Sequence, residues 1–330
     1  MTITWRTYRL KLRETFSISY GSYDFRDSLT VMLLANGETG FGECVAINYY
    51  KIELDQFEIS LDRIKKELEN HEIVHPKEFF RFLLTLNLHP FLMSALDCAF
   101  WDLYGKLEIK SFTQLMNLDI GTLPESSFTI CIDNIDQQLR KINQSSWQKF
   151  KVKCSGLDRE AVYKLLNTNR EVALDSNASL SEEDCDFLQN NERTAGFMYL
   201  EQPLPTGRFN GLDKNMHANW MCDEDCQNLS DLKVLAGHYS SVNIKVMKAG
   251  GITPALEMIS EARKFGLKVM IGCMTESTVG ISAGIALAGL CDYADLDGAN
   301  LISNDFANGS EVVLGCLHLS DKPGLGISLR

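Results

Sequence analysis

The sequence predicts an α/β protein in which an eight-stranded parallel barrel follows a smaller α+β unit. The chain has 330 residues, more than the roughly 250 that one α/β barrel needs. Its first third carries a hairpin signal followed by helical patterns, whereas the remainder alternates short β-like runs with helical spacing. Apolar residues make up 45% and charged residues 23%, a composition typical of ordinary globular proteins, which argues against disorder.

The first unit is predicted to combine a β-hairpin with helices. Residues 29–34 form a β-rich run, and the following Asn36-Gly37 is a strong hairpin signal, so residues 40–43 should pair back on that run. We expect an α+β domain over residues 1–122. Helical spacing is found at 54–68, from Pro76 onward, and at 91–107.

The second unit is predicted to be a closed barrel over residues 123–300. Its β-like runs are separated by enough chain for one helix each, which is typical of repeated right-handed β-α-β steps. A doubly wound open sheet is the alternative, but no G-x-G-x-x-G sequence follows the first strand. The predicted strands are 128–132, 150–154, 172–175, 197–201, 220–223, 242–246, 269–271 and 293–296.

Charge and cysteine content exclude several classes of function. The formal net charge of -12 argues against a surface for nucleic-acid binding, which needs clustered Lys and Arg. No apolar run approaches the roughly 18 residues that would span a membrane. The ten cysteines are scattered and are expected to be buried free thiols, Cys222 and Cys226 included. The sequence therefore predicts a cytoplasmic enzyme without nucleic-acid or membrane partners.

Charged residues recur at the carboxyl ends of the predicted strands, where barrel enzymes have their active sites. Because residues i and i+2 of a strand share a face, Lys151 and Lys153 can both point into the barrel mouth. Each motif alone is more often a solvated edge or a turn, but the joint pattern favours a site. The strand ends carry Lys151, Lys153, Asp175, Asn177, Glu201, Asp223, Glu224, Lys245, Asp295 and Asp297.

Three of these residues are predicted to bind a metal ion. Asp175, Glu201 and Asp223 come from consecutive strands, so their oxygens can converge on one hard cation. Mg²⁺ prefers such oxygen ligands and keeps positions open for substrate or water. No histidine lies at these positions, and the six histidines show no metal-binding spacing, which argues against zinc.

Lys153 and Lys245 predict the chemistry. Strands two and six face each other across an eight-stranded barrel, so Lys153 and Lys245 would lie on opposite sides of the mouth. A substrate held on the metal by its carboxylate would present its α-carbon between them. One lysine would remove the α-proton, the cation would stabilise the resulting enediolate, and the other lysine would return a proton to the opposite face. This is a 1,1-proton transfer, an epimerisation.

The pattern as a whole resembles the enolase superfamily in its muconate-lactonising subgroup. The resemblance implies a modified (β/α)7β barrel, one Mg²⁺ per site, and Lys153 and Lys245 as acid/base catalysts. It also implies a capping domain whose loops at 19–26 and 47–51 close the site, and a tail over 301–330 that returns to that cap. The matching segments are Gly40-Phe41-Gly42-Glu43, the helix around 95–106, Lys-x-Lys at 151–153, Asp-x-Asn at 175–177, Glu-Gln-Pro at 201–203, Asp-Glu at 223–224, and 245–251.

Within that subgroup, residues 293–297 resemble the dipeptide epimerases. In those enzymes an Asp-x-Asp on the last strand binds the α-ammonium of a dipeptide, which implies this role for Asp295 and Asp297. Strand eight lies opposite strand four, so a ligand that reaches from the metal to this pair would span the mouth. We therefore expect an L-Ala-Xaa dipeptide whose C-terminal residue is epimerised, with Lys151, Asn177 and Glu224 in supporting roles. Assembly into a homo-oligomer is left open.

Two positions depart from the family pattern. Asp225 stands where the family usually has serine, and is expected to add charge near the metal. Gly21 stands where alanyl-glutamate epimerases place an arginine that meets the substrate's side-chain carboxylate. Arg26 lies nearby as a substitute, while Tyr20, Tyr23 and Phe25 are available as aromatic surface. Small or apolar C-terminal residues are therefore expected to compete with glutamate.

Two other functions are compatible with parts of this pattern. An o-succinylbenzoate synthase or a cycloisomerase would use the same lysines, but would not need the ammonium-binding Asp295 and Asp297. A non-catalytic binding barrel is the more remote alternative. Such a protein would be expected to lack one of the lysines or one of the metal ligands. The sequence retains the full set.

Overall fold

The computed structural model describes residues 1–118 and 121–330, and it begins with a three-stranded antiparallel sheet. The predicted hairpin is confirmed, with Asn36 and Gly37 in its turn at φ of 50° and 85°. The expectation of a loop over 19–26 is wrong, because β2 begins at Gly21 and pairs with a long first strand that the sequence did not predict. The strands are β1 (Thr2–Ile18), β2 (Gly21–Ala35) and β3 (Glu38–Val45).

Four helices follow this sheet, and the third of them packs directly on it. A Cβ atom on Gly42 would lie 2.0 Å from the Ala95 carbonyl oxygen, and one on Gly40 would lie 2.1 Å from that of Ala99. Only glycine therefore allows strand and helix to approach this closely. The helices are α1 (Leu54–Asn70), α2 (Pro76–Thr85), α3 (Pro90–Leu107) and α4 (Phe112–Met116).

Eight parallel strands in the described chain form a nearly closed barrel, as the sequence predicts. They follow one another in chain order around the sheet, and a bridge between Ser126 and Ala294 joins the first edge to the last. The strands are β4 (Phe128–Ile130), β5 (Lys149–Lys153), β6 (Glu171–Asp175), β7 (Leu200–Glu201), β8 (Trp220–Cys222), β9 (Ser241–Lys245), β10 (Lys268–Gly272) and β11 (Tyr293–Asp295).

The connections between barrel strands are less regular than the sequence analysis expected. Residues 202–219, between β7 and β8, form no helix in the described structure. Pro203, Pro205, Gly207 and Gly211 explain this, because proline removes a backbone donor and glycine disfavours helix. The helices are α5 (Ile135–Gln144), α6 (Arg159–Leu166), α7 (Glu182–Asn190), α8 (Leu232–Leu235), α9 (Val246–Ala249), α10 (Ile252–Lys264) and α11 (Thr278–Ala288).

The C-terminal segment contacts the N-terminal sheet and its helices. Ile302 bridges to Leu12 on β1, and the ring of Phe306 stacks on that of Tyr8 with centroids 3.7 Å apart. The proposed domain limits at residues 122 and 300 stay a prediction. The segment contains β12 (Ala307–Asn308), β13 (Glu311–Val313), β14 (Cys316–His318) and β15 (Ser328–Leu329).

Buried carboxylates join the N-terminal unit to the barrel. Asp97 on α3 accepts hydrogen bonds from the backbone N and the Oγ1 of Thr253 in α10, both at 2.8 Å. Glu43 on β3 accepts from the Oγ of Ser277 at 2.7 Å and from the backbone N of Gly280 at 3.0 Å, at the start of α11. These contacts fix the sheet above the barrel mouth.

All ten cysteines lie in the described part of the chain and are free thiols. Nine are buried or half-buried, as expected, whereas Cys316 is exposed. No helix among the described residues has the length and apolar content to cross a membrane.

Candidate active site

A cavity lies between the barrel mouth and the N-terminal unit. Eight of the ten predicted site residues line it, and Asp175 and Glu201 are buried in the adjoining barrel strands. Aromatic side chains from the N-terminal unit complete the wall opposite the barrel. The predicted residues in the lining are Lys151, Lys153, Asn177, Asp223, Glu224, Lys245, Asp295 and Asp297.

The two predicted acid/base lysines reach this cavity from opposite strands of the barrel. Lys153 ends β5, and its Nζ donates to Asp175 Oδ2 at 2.5 Å and to Asn177 Oδ1 at 3.2 Å. Lys245 ends β9, and its Nζ donates to Asp223 Oδ2 at 2.8 Å. β5 and β9 are four strands apart in the eight-stranded order, so they face each other across the barrel.

The three predicted metal ligands come from neighbouring strands and are fully buried. Asp175 and Glu201 are register partners, but their side chains make different contacts. Glu201 Oε1 accepts from Asn243 Nδ2 at 2.7 Å, whereas its Oε2 has no hydrogen-bond partner among the described residues. Burial and the neighbouring Asp175 raise the pKa of Glu201 to about 8.

Lysines engage the other two carboxylates. Lys248, which the sequence analysis gave no role, donates to Asp223 Oδ1 at 2.5 Å and to the Asp223 carbonyl at 2.6 Å. Burial would raise the pKa of Asp223, but Lys245 and Lys248 outweigh it and hold that pKa well below its usual value. In residues 1–118 and 121–330, no three His, Cys, Asp or Glu side chains therefore form a ready-made ligand set.

The Asp-x-Asp pair lies at the end of the cavity beside β4. Asp295 pairs with Lys151 and accepts from Ser127 Oγ at 2.7 Å, while Asp297 Oδ2 accepts from the Thr129 backbone N at 2.7 Å. Burial and the charge of Asp295 raise the pKa of Asp297 to about 6. Asp295 thus already has a cationic partner, a pairing that strand order alone did not predict.

The hairpin between β1 and β2 covers the mouth with its tip. Tyr20 OH donates to Glu224 Oε1 at 2.8 Å, and the ring of Tyr20 stacks on that of Tyr49 with centroids 4.5 Å apart. Ser19 Oγ donates to the carbonyl of Asn177 at 3.0 Å. Glu224 also accepts from Asn177 Nδ2 at 3.2 Å, and burial together with Asp223 raises its pKa to about 7. Two of the three residues predicted to be supporting, Asn177 and Glu224, therefore contact the covering hairpin.

The guanidinium in the cavity comes from Arg26, and not from the position of Gly21, where related enzymes were expected to have an arginine. Its Nη1 donates to the Ala46 carbonyl at 2.8 Å, the group lies 4.0 Å from the ring centroid of Tyr23, and its Nε has no partner among the described residues. Gly21 is the first residue of β2, with φ +137°, and does not line the cavity.

Asp225 does not line the cavity, and the expectation that it adds charge near the metal stays a prediction. Its carboxylate accepts from Gln202 Nε2 at 2.9 Å, from Gly207 N at 2.7 Å and from Tyr239 OH at 2.7 Å. The structure thus gives this departure from the family motif a role in fixing the chain after β7.

Comparison with known proteins agrees with this geometry. Residues 134–330 match the family described as Enolase C-terminal domain-like. An L-Ala-D/L-amino acid epimerase from a Maribacter species is 38% identical, with 94% of each chain covered. The chain therefore belongs to the dipeptide epimerases of the enolase superfamily. A second L-Ala-D/L-amino acid epimerase, from Flavobacterium johnsoniae, is 34% identical over the full length of both chains.

Solved structures of similar enzymes have the same fold as this epimerase. A dipeptide epimerase from Methylococcus capsulatus, in complex with Mg and the dipeptide L-Arg-D-Lys, superposes with a TM-score of 0.90 at 26% identity. The match covers 99% of both chains, so the N-terminal unit and the barrel are both shared.

Proposed function

We propose that this epimerase is magnesium-dependent and inverts the α-carbon of the C-terminal residue of an L-Ala-Xaa dipeptide, using Lys153 and Lys245 as the two acid/base groups. The observation that carries the proposal is that both lysines line one cavity from opposite strands. A planar intermediate between them can be protonated on either face, which is what epimerisation requires. The names of the two L-Ala-D/L-amino acid epimerases support the same substrate class.

The residues at the mouth fit Mg²⁺. Asp175, Glu201 and Asp223 offer only oxygen donors, which suits a hard cation. The buried Glu201 Oε2 lacks a hydrogen-bond partner among the described residues, and a buried carboxylate oxygen is costly without one. Mg²⁺ held by these three residues would bind the substrate carboxylate and stabilise the negative charge that develops on it. The Mg complex of the Methylococcus capsulatus enzyme supports this assignment.

The two lysines perform the proton transfers in this proposal. One takes the α-proton at its neutral Nζ, which leaves the substrate as an enediolate, and the other donates a proton from its Nζ to the opposite face. Because proton donor and acceptor exchange roles in the reverse reaction, the same pair serves both stereoisomers. Lys151, which is paired with Asp295 and lies 3.7 Å from Glu201 Oε2, adds fixed positive charge near the substrate carboxylate.

Asp297 is the proposed main ligand of the dipeptide's α-ammonium. Its contacts include a backbone N–H from Thr129, whereas Asp295 is engaged by Lys151 and Ser127. Asp295 then assists the ammonium and orients Lys151. The ten free thiols fit the cytoplasm as the location of this reaction.

The test is exchange with deuterated water in the presence of Mg²⁺ and a library of L-Ala-Xaa dipeptides. We expect deuterium at the α-carbon of the C-terminal residue, detected by proton NMR, together with formation of the other diastereomer. Lys149→Ala is a matched control for Lys153→Ala, because Lys149 begins the same strand and lies outside the cavity lining. Absence of exchange in every dipeptide would overturn the proposal.

The cavity favours broad specificity for the C-terminal side chain. Phe16, Tyr20, Tyr23 and Tyr50 contribute aromatic surface to its lining, and Arg26 contributes one partly engaged cation. Apolar side chains can pack on the rings, while an acidic side chain can pair with the guanidinium of Arg26. We therefore propose that both kinds of dipeptide are accepted.

A further inference from the structure

Gln138 joins two barrel strands at the point where their backbone pairing stops. The register between β4 and β5 ends with Ile130 opposite Val152. The carbonyls of the next residue on each strand, Cys131 and Lys153, both accept from Gln138 Nε2, at 3.0 Å and 2.9 Å. The side-chain amide of Gln138, on α5, thus replaces the next backbone hydrogen bond between the two strands.

This contact holds the backbone of a proposed base on the side facing β4. On its other side, Lys153 is paired with Asp175 of β6, and the following Cys154 N donates to the Asp175 carbonyl at 3.0 Å. Towards β4, Gln138 supplies the hydrogen bond to the Lys153 carbonyl. Gln138 is itself buried, so water is a poor replacement for its amide.

The same contact reaches the covering hairpin. Ile132, directly after Cys131, donates its backbone N–H to the carbonyl of Ser17 at 3.1 Å. Ser17 lies on β1, three residues before Tyr20 at the hairpin tip. Gln138 therefore links the backbone of Lys153 to the end of β4, and the next residue of that segment, Ile132, is hydrogen-bonded to the hairpin over the cavity.

We propose that Gln138 is a positioning residue for Lys153, which keeps the lysine's Nζ at the distance needed for proton transfer. The inference rests on the proposed two-lysine mechanism and deepens it. Among the described residues, Gln138 donates to Cys131 and Lys153 and makes no hydrogen bond to Lys245 on the opposite strand, so loss of its amide should affect only the proton transfers through Lys153. A misplacement of about 1 Å at a reacting group can cost on the order of a hundredfold in rate.

The experiment uses Gln138→Met, which keeps the side chain's length and removes both donors. It is introduced into the full-length chain in two backgrounds, Lys245→Ala and Lys153→Ala. Each background should exchange the α-proton of only one diastereomer, through its surviving lysine. Gln137→Met on the same helix is the matched control, because its side chain makes no hydrogen bond in the described structure. Circular dichroism and urea titration check the fold of every variant.

We expect Gln138→Met to slow deuterium exchange about ten- to a hundredfold in the Lys245→Ala background. Exchange in the Lys153→Ala background should stay within about twofold of its own reference. Gln138→Leu, which also has no donor, should give the same one-sided loss. Equal losses in both backgrounds, a loss of fold in both Gln138 variants, or no loss at all would overturn the inference.

Failure of the two-lysine mechanism has a different signature. If the single lysine variants do not each retain exchange of a different diastereomer, the proposed function is wrong, and this inference falls with it. If they do, and Gln138→Met still acts equally on both, only the positioning role is wrong.

Discussion

Asp97 should make a contribution to the stability of this epimerase that falls with rising pH, and Asp97→Asn should remove that contribution. The carboxylate lies on α3, is fully buried and accepts two hydrogen bonds from Thr253 at the start of α10. Burial raises its pKa from 3.8 to about 7, although the bonds from Thr253 act in the opposite direction. The folded chain therefore retains a proton that the unfolded chain has already released.

The magnitude follows from the two pKa values. Below about pH 4 both states carry the proton, so the group makes no pH-dependent contribution. Between about pH 4 and 7 only the folded state binds it, and the free energy of unfolding falls by about 1.4 kcal/mol per pH unit. The total loss by pH 7 is about 4 kcal/mol, since the pKa rises from 3.8 to about 7. Asparagine cannot ionise, so this decline is absent from the variant.

The assay is urea unfolding of the parent and of Asp97→Asn at intervals between pH 5 and 8. We expect the variant to gain stability relative to the parent by about 1 kcal/mol or more for each unit up to pH 7, with the difference constant above it. Asp62→Asn on the exposed face of α1 is the control. Its free energy of unfolding should change with pH in parallel with that of the parent. Parallel curves for Asp97→Asn as well would refute the reasoning.

Four further outcomes are expected. Lys153→Ala and Lys245→Ala should each slow epimerisation at least about a thousandfold, measured by NMR, and normal turnover in either would contradict the two-lysine assignment. Tyr20→Phe, which loses the bond to Glu224, should lower kcat/KM about three- to tenfold, with Tyr23→Phe as control; an unchanged value would mean that this contact does not hold the hairpin. Gly251→Ala places a Cβ 2.4 Å from Asp97 Oδ2 at a residue with φ of +135°. Urea titration should therefore show a loss above about 2 kcal/mol in the free energy of unfolding. Gly211→Ala, whose Cβ would meet nothing within 4 Å, is the control and should show little loss. The kcat/KM for alanyl-glutamate should exceed that for alanyl-leucine by less than about a hundredfold; a larger preference would show that Arg26 acts as a full carboxylate anchor.

The barrel strands could be predicted because their sequence signal is local. Each is a short apolar run bounded by polar helical spacing, and all eight are found in the structure. β1 could not be predicted in this way. Most of its residues are half-buried or exposed, and its extent is set by pairing with β2, from Thr2 opposite Leu34 to Ile18 opposite Gly21. Such pairing is a long-range property that no window of sequence reveals.

The positions of the site residues could be predicted, but their partners could not. Alternation along a strand placed Lys151 and Lys153 on one face, and both line the cavity. Which carboxylate each lysine meets depends on rotamers and on neighbouring strands, so the pairing of Lys151 with Asp295 was missed. The contacts of the two aspartates with Ser127 Oγ and with the backbone N of Thr129 could not be inferred from alternation either, because Ser127 precedes β4 and a backbone donor carries no side-chain signal.

Charge balance explains why residue identity alone was enough to indicate a divalent cation. Six carboxylates and four lysines of the barrel meet at the mouth, where Arg26 adds a further positive charge, and burying uncompensated charge is costly. The strain is visible in the raised pKa values of about 8 for Glu201, about 7 for Glu224 and about 6 for Asp297. A divalent cation held by Asp175, Glu201 and Asp223 would offset the carboxylates that the neighbouring cations leave uncompensated. The six carboxylates at the mouth are Asp175, Glu201, Asp223, Glu224, Asp295 and Asp297, and the four lysines are Lys151, Lys153, Lys245 and Lys248.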